Sequence, residues 1–176
     1  MNTERRTSPR VQVPIDVVWH AASGQTVSRV TRIEDLSVSG CFLGSIAEVS
    51  PGERVRLEIN LPPKHEHLSI DAEVVYCQPN IGFGVRFVGL LSPAQHALGF
   101  SVDVLSGKSL PLWLLRQGSR NARCSFRLLA PSGLELSLQV DERPDLSERF
   151  NSWDALVARA YKEREGLEAG GWVLVP

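Results

Sequence analysis

Four stretches of this chain alternate apolar and polar side chains almost one to one, and a period of two is the signature of half-buried β-strands. Val11, Val13, Ile15, Val17 and Trp19 alternate with Gln12, Pro14, Asp16, Val18 and His20. Val55, Leu57, Ile59 and Leu61 alternate with Arg54, Arg56, Glu58 and Asn60; Leu68, Ile70, Ala72, Val74 and Tyr76 follow the same rule. Ile81, Phe83, Val85 and Phe87 complete the set, with Gly82 and Gly84 on the opposite face. Turn residues punctuate the runs at Ser23-Gly24, Ser50-Pro51-Gly52, Pro62-Pro63 and Pro79-Asn80. Short strands with such punctuation and no helix between them predict an antiparallel sheet that closes into a barrel. Val27, Val30 and Ile33 do not share one face, so a bulge or sharp bend is expected within 27–42.

Ser92-Pro93-Ala94-Gln95 carries an N-cap hydroxyl, Pro at the first helical position and Gln at N3. A helix over 93–105 follows, with Leu98, Val102 and Leu105 facing the barrel. Beyond it, residues 124–176 predict a small α+β module. Leu134, Leu136, Leu138 and Val140 alternate as a strand, paired through Pro131-Ser132-Gly133 with an earlier strand over 124–129. Trp153, Leu156, Val157, Ala160 and Tyr161 fall on one helical face that Ser152 can cap, and 172–175 adds a final strand. The fold expectation is thus mainly β: a barrel with a closing helix over 1–105, a basic linker over 106–123, and a hairpin-and-helix module over 124–176.

The charge balance restricts partners. Nineteen Lys and Arg against 20 Asp and Glu leave −1, without the overall basicity that binding to long nucleic acid or anionic membrane demands. The total hides a gradient. Residues 1–105 hold 9 basic and 11 acidic side chains, residues 106–176 hold 10 and 9, and Arg116, Arg120, Arg123 and Arg127 follow one another with no acid between them. No apolar run approaches the ~18 residues of a membrane span and no signal-peptide pattern opens the chain, so a cytoplasmic protein without a membrane span is expected. Cys41, Cys77 and Cys124 are odd in number and widely spaced, which fits reduced, buried thiols rather than a disulfide framework or zinc site.

Two polar clusters stand outside the core pattern. Arg5-Arg6-Thr7-Ser8-Pro9-Arg10 precedes the first strand, and Asp35-Leu36-Ser37-Val38-Ser39-Gly40 lies in the irregular stretch. Guanidinium groups grip phosphate bidentately, stack on flat rings, and read the O6 and N7 edge of guanine. Pro9 keeps Ser8 extended and so spaces Arg6 from Arg10. A carboxylate can accept from guanine N1 and N2 protons, a hydroxyl serves either polarity, and a glycine lets backbone pass close to a flat ligand. An anion that carries a guanine base suits both clusters together.

With these residues in place, the region 4–105 resembles a PilZ domain, the bacterial receptor for cyclic di-GMP. The resemblance rests on Arg6-x-x-x-Arg10, the strand that follows it, Asp35-x-Ser37-x-x-Gly40, and Gly82-Phe83-Gly84-Val85-Arg86-Phe87 before the closing helix. It implies a six-stranded antiparallel barrel with ligand on its surface. Arg6 and Arg10 are then expected on the phosphates and guanines of cyclic di-GMP, Asp35 and Ser37 on a guanine, and Gly40 at a close backbone approach. Arg5 occupies a place that in the family bears on whether one ligand or a stacked pair binds.

The implied function is a non-enzymatic receptor that needs no cofactor or metal. It converts second-messenger binding into a conformational or protein-contact output, in motility, pili or surface behaviour. The protein partner would be met through the C-terminal module or the ligand-ordered N-terminus. The rival from another class is a PilZ-fold adaptor that works by protein contact and binds no nucleotide. His65-x-His67 lacks a third ligand for a metal, His20 and His96 are isolated, and no serine stands in a nucleophile elbow. Trp153 and Tyr161 are expected in the core of the last helix, and the Arg116 to Arg127 stretch reads as a solvated linker, with a docking surface for an acidic partner as the other reading.

Overall fold

The structure is a computed structural model that describes residues 9–21, 28–129 and 133–176. It divides into two compact units, Met1–Leu105 and Ser106–Pro176. In the first unit, six strands form a closed antiparallel barrel: β1 (Val11–Ala21), β2 (Arg29–Ser37), β3 (Gly40–Gly44), β4 (Arg54–Leu61), β5 (Glu66–Gln78) and β6 (Gly82–Phe87). Their order around the barrel is β1-β2-β3-β6-β5-β4, and β4 pairs back onto β1 to close it. Closure follows from the alternation: every strand has one apolar face to hide, and a closed sheet hides all six without leaving an unpaired edge. Val17, Trp19, Ile33, Leu57, Ile70 and Phe83 meet in the interior. Trp19 lies edge-on to Phe83 with ring centroids 5.2 Å apart. Among the described residues its indole N–H has no hydrogen-bond partner.

Three register breaks shape the barrel wall. One, between Gln12 and Ile15, accommodates Pro14, which has no N–H to give the ladder. Another separates Ile33 from Asp35, so Glu34 is the extra residue of a bulge; this is the irregularity expected within 27–42. The third lies between Val74 and Tyr76. Ile81, assigned by its pattern to the last strand, precedes β6 and is exposed.

Helix α1 (Ser92–Leu105) follows the last barrel strand. Leu98 and Val102 join the barrel core, Val104 is also buried, and Leu105 packs on its margin. The Ser101 hydroxyl donates to the Pro62 carbonyl at 2.8 Å, tying the helix to the chain just beyond β4. Burying a leucine such as Leu98 stabilises by about 1.5–3 kcal/mol relative to leaving it in water.

The second unit is α+β, and its sheet is larger than a hairpin. Strands β7 (Leu110–Gln117), β8 (Arg120–Leu128), β9 (Leu134–Val140) and β10 (Arg143–Phe150) run antiparallel, then come helix α2 (Trp153–Ala169) and the short β11 (Val173–Leu174). The order is β10-β9-β8-β7-β11. Residues 106–123 are therefore no linker: they supply β7 and the start of β8. The run Leu110-Pro111-Leu112-Trp113-Leu114-Leu115 has no alternation to read, because a register break between Pro111 and Trp113 interrupts it.

Helix α2 covers one sheet face. Leu156 and Ala160 are buried against it, the Trp113 indole donates to the Ala160 carbonyl at 3.1 Å, and Phe126 meets Trp153 edge-on at 4.9 Å. The Ser152 hydroxyl caps the helix by accepting from the Ala155 N–H at 3.3 Å. Tyr161, by contrast, is half-exposed beneath the Arg164 guanidinium rather than in the core. No described helix is long and apolar enough to cross a membrane.

Of the cysteines, Cys41 and Cys124 are buried, whereas Cys77 is exposed and its thiol donates to the Val49 carbonyl at 3.2 Å. Among the described residues no three His, Cys, Asp or Glu side chains gather closely enough to hold a metal ion. His67 instead lies 3.0 Å from Glu58 and 3.2 Å from Asn60 on the outside of the barrel.

Candidate functional site

The bulge at Glu34 decides which residues face out. Without an extra residue, Ile33 and Leu36 would point to opposite faces; with it, both are fully buried and Asp35 stands on the outer surface. On the neighbouring strand Val11 pairs with Leu36 and Gln12 with Asp35, so Arg10 enters beside them. The Arg10 Nη1 donates to Asp35 Oδ1 at 2.7 Å, each side chain about 30% exposed (30% and 29%). A charge-assisted contact of this length fixes both groups while leaving their outer edges to water.

The next residues form the tight turn from β2 to β3, where Ser37 pairs with Gly40. Ser37 is 1% exposed. Its hydroxyl donates to the Gly40 carbonyl at 2.9 Å, accepts from the Ser39 N–H at 3.3 Å and lies 3.3 Å from the Ser39 hydroxyl. A Cβ on Gly40 would stand 2.1 Å from the Val85 carbonyl oxygen, so glycine is what lets β3 lie against β6. The close backbone approach expected at Gly40 is thus made to β6, and the Ser37 hydroxyl expected on a ligand is held inside the turn. Of the six predicted ligand residues, Arg10, Asp35, Ser37 and Gly40 come together here. Arg5 and Arg6 lie outside the described residues.

One outer row of the barrel runs on from Asp35 beyond the motifs. Gln12 pairs with Asp35, Asp35 with Phe42, Phe42 with Gly84 and Gly84 with Tyr76. Phe42 and Tyr76 stack across Gly84 with centroids 6.1 Å apart and planes 25° from parallel. A Cβ on Gly84 would come within 2.3 Å of the Tyr76 ring, and one on Gly82 would stand 2.1 Å from the Leu43 carbonyl oxygen and 2.8 Å from the Phe42 ring. Phe42, one strand from Asp35, is buried within this stack, and Tyr76 beyond it is partly exposed. The sequence pattern does not bring these two rings beside Asp35; the outward Gly82-x-Gly84 is the available signal, since a glycine stripe on a strand marks something lying close above it. Arg86 flanks the row, opposite Gly40 and 3.3 Å from Glu73.

Electrostatics reach through the barrel wall. Burial pushes the Cys41 thiol far above its usual range, the Asp35 carboxylate adds to the effect, and Arg10 partly offsets it. Cys41 is fully buried beside these charges and remains a neutral thiol.

The family model described as "PilZ domain" matches residues 4–102. Three solved structures are similar to the chain. The PilZ domain of CeSA from a cellulose-synthesizing bacterium has 21% identity, a TM-score of 0.47, and coverage of 56% of this chain and 99% of that one. The PilZ domain of YcgR from Escherichia coli, solved with c-di-GMP, has 18% identity, a TM-score of 0.47, and coverage of 58% and 92%. The Bacillus subtilis inhibitor of motility MotI/DgrA has 22% identity, a TM-score of 0.43, and coverage of 56% and 50%. No curated protein matches the chain significantly.

Proposed function

Because the chain belongs to the PilZ domain family, which matches more than half of it, we propose that it is a cyclic di-GMP receptor whose site is built on Arg6, Arg10, Asp35 and the turn that Ser37 and Gly40 hold in shape. The observation that carries the reading is the convergence of Arg10 and Asp35 on the outer barrel surface, a cation and an anion brought to 2.7 Å from 25 residues apart. A guanine nucleotide replaces that pair with two contacts of the same kind. Its phosphate accepts from the guanidinium, and its N1–H and N2–H donate hydrogen bonds to the carboxylate. The exchange costs little, since a pair left roughly one-third exposed contributes at most about 1 kcal/mol. Arg6 and the less central Arg5 add guanidinium groups from the N-terminal segment. Drawing that segment onto the barrel converts binding into a change of surface that a protein partner can read.

Calorimetry with cyclic di-GMP on wild type, Arg6→Ala, Arg10→Ala and Asp35→Ala tests the reading. Loss of one charge-assisted contact, worth about 1.5–3 kcal/mol, weakens binding by roughly 10- to 150-fold. Equal binding in all four proteins, or none in wild type, removes it. The second reading, an adaptor that binds no nucleotide, draws on the same geometry: Arg10 and Asp35 already give each other a charged partner without a ligand. Absence of any heat with wild type, at concentrations well above micromolar, is its expected result.

A further inference from the structure

In the second unit, helix α2 lies on one face of the five-stranded sheet, and we infer that the other face is a docking surface for a short, extended, acidic protein segment. Three rows of side chains run across β7 to β10 in register. The first is Leu114, Arg123 and Gln139; the second is Ser125, Ser137 and Ser147; the third is Arg127, Glu135 and Arg149. Arg116, opposite Asn121, continues the face on β7.

The charge on this face is one-sided. Arg116, Arg123, Arg127 and Arg149 are exposed, and Glu135 is the single acid in these rows, giving +3 from four arginines and one carboxylate. Glu135 is spoken for: it receives Arg127 Nε at 2.5 Å and the Ser147 hydroxyl at 3.1 Å, and Arg149 also acts on it. Asp141 pairs with Arg120 at the end of the sheet. No ion pair to an acid holds Arg116, Arg123 or Arg149 among the described residues; Arg116 bonds only the Asn121 amide oxygen, at 3.3 Å.

The shape selects an extended chain. The serine row is low, and it separates arginine rows four residues apart along a strand, about 13 Å at the ~3.3 Å rise of a strand. An extended segment that follows the serines across the strands sends successive side chains to opposite sides. Alternate carboxylates then face Arg123 on one side and Arg149 on the other, while the Ser137 hydroxyl meets its backbone; Arg127 and Ser147 are engaged by Glu135, and Ser125 accepts from Ser109. Single-stranded nucleic acid fits less well, because these rows contain no aromatic side chain on which a base could stack. Addition of a partner strand at the β10 edge is also disfavoured, since Arg143, Pro144, Asp145 and Arg149 give that strand charges and a missing N–H.

The full chain is titrated, without nucleotide, against a fluorescein-labelled Glu-Ser repeat octapeptide, its Gln-Ser counterpart and an oligothymidylate of similar length. The expected result is saturable binding of the Glu peptide that weakens with salt, little binding of the other two, and loss of binding in Arg123→Glu/Arg149→Glu. Single Arg123→Gln and Arg149→Gln variants lower affinity about two- to fivefold each, and stand in for the reversal if thermal unfolding shows that it disturbs the fold. No binding of the Glu peptide, unchanged binding in the variants, or preference for oligothymidylate overturns the inference. The outcome is separable from that of the nucleotide site, whose residues all lie in the first unit.

Discussion

Arg10 and Asp35 meet at 2.7 Å on the outside of the barrel although 25 residues separate them in the chain. The contact exists because β1 and β2 pair in antiparallel register and a bulge at Glu34 turns Asp35 outward. It joins the end of one sequence motif to the beginning of the other.

Arg10→Ala and Asp35→Asn are therefore expected to change stability by no more than about 1 kcal/mol, singly or together, as partly exposed ion pairs do. Their effect on cyclic di-GMP affinity is expected to be at least tenfold. Urea unfolding and calorimetry on the same preparations separate the two quantities; a stability loss matching the affinity loss would reassign the pair to a structural role.

Gly40→Ala and Gly84→Ala make a contrasting pair. At Gly40 the obstacle is the Val85 backbone carbonyl, 2.1 Å from the new Cβ, which cannot move without opening the β3–β6 ladder. At Gly84 the obstacle is the Tyr76 ring. Truncation to Tyr76→Ala should thus recover much of the stability lost in Gly84→Ala, while no side-chain truncation should rescue Gly40→Ala. A double-mutant cycle by chemical denaturation reads the coupling directly.

Trp19→Phe should cost far less than Trp19→Ala, because the indole N–H it removes makes no bond among the described residues. Truncation to alanine empties the barrel interior at a cost of about 3–5 kcal/mol, whereas phenylalanine keeps an aromatic ring against Phe83. Thermal or urea unfolding of the three proteins decides it; equal losses would mean that the indole N–H matters.

The Arg127 guanidinium, joined by the Ser147 hydroxyl and by Arg149, holds the Glu135 carboxyl below the usual carboxylate range. A depressed folded-state pKa gives stability that is present above the unfolded value, near pH 4.3, and that is lost as pH falls through the folded value. Unfolding across acid pH should show this loss in wild type and a flatter profile in Arg127→Gln. Asp141, lowered by Arg120 and the Asn121 N–H, contributes in the same direction.

Under native conditions a disulfide reagent should modify Cys77 alone. Burial raises the Cys41 thiol far above its usual range and pushes Cys124 up to about 12, so neither offers thiolate near neutral pH. Three equivalents should react after unfolding, and Cys77→Ser should abolish the native reaction.

The barrel was legible because its strands carry their own instructions: Val55 to Leu61 and Leu68 to Tyr76 can hide their apolar faces only as strands. The second unit was less so. Its fourth strand follows Asp141-Glu142, a tight turn in which both residues take positive φ, 51° and 63°, without the glycine that normally announces it. Contacts distant in sequence support the turn: the Asp141 side chain accepts from the Asn121 N–H at 3.0 Å and from Arg120 at 2.8 Å. The arginines at 116, 123 and 127 likewise looked like a solvated linker, since nothing local shows that they share a sheet face with Arg149.

By itself, the sequence determined the alternation that makes a barrel, the helix that follows it, and the two polar clusters whose chemistry suits a guanine anion. These are local properties, carried by residue type and spacing. Only the tertiary structure decided that Asp35 faces outward, that Ser37 and Gly40 are committed to a turn and a close ladder, that Phe42 and Tyr76 lie beside the site, and that an arginine face opens on the second sheet. Each depends on register, and register is set by bulges and turns whose stability comes from partners far along the chain.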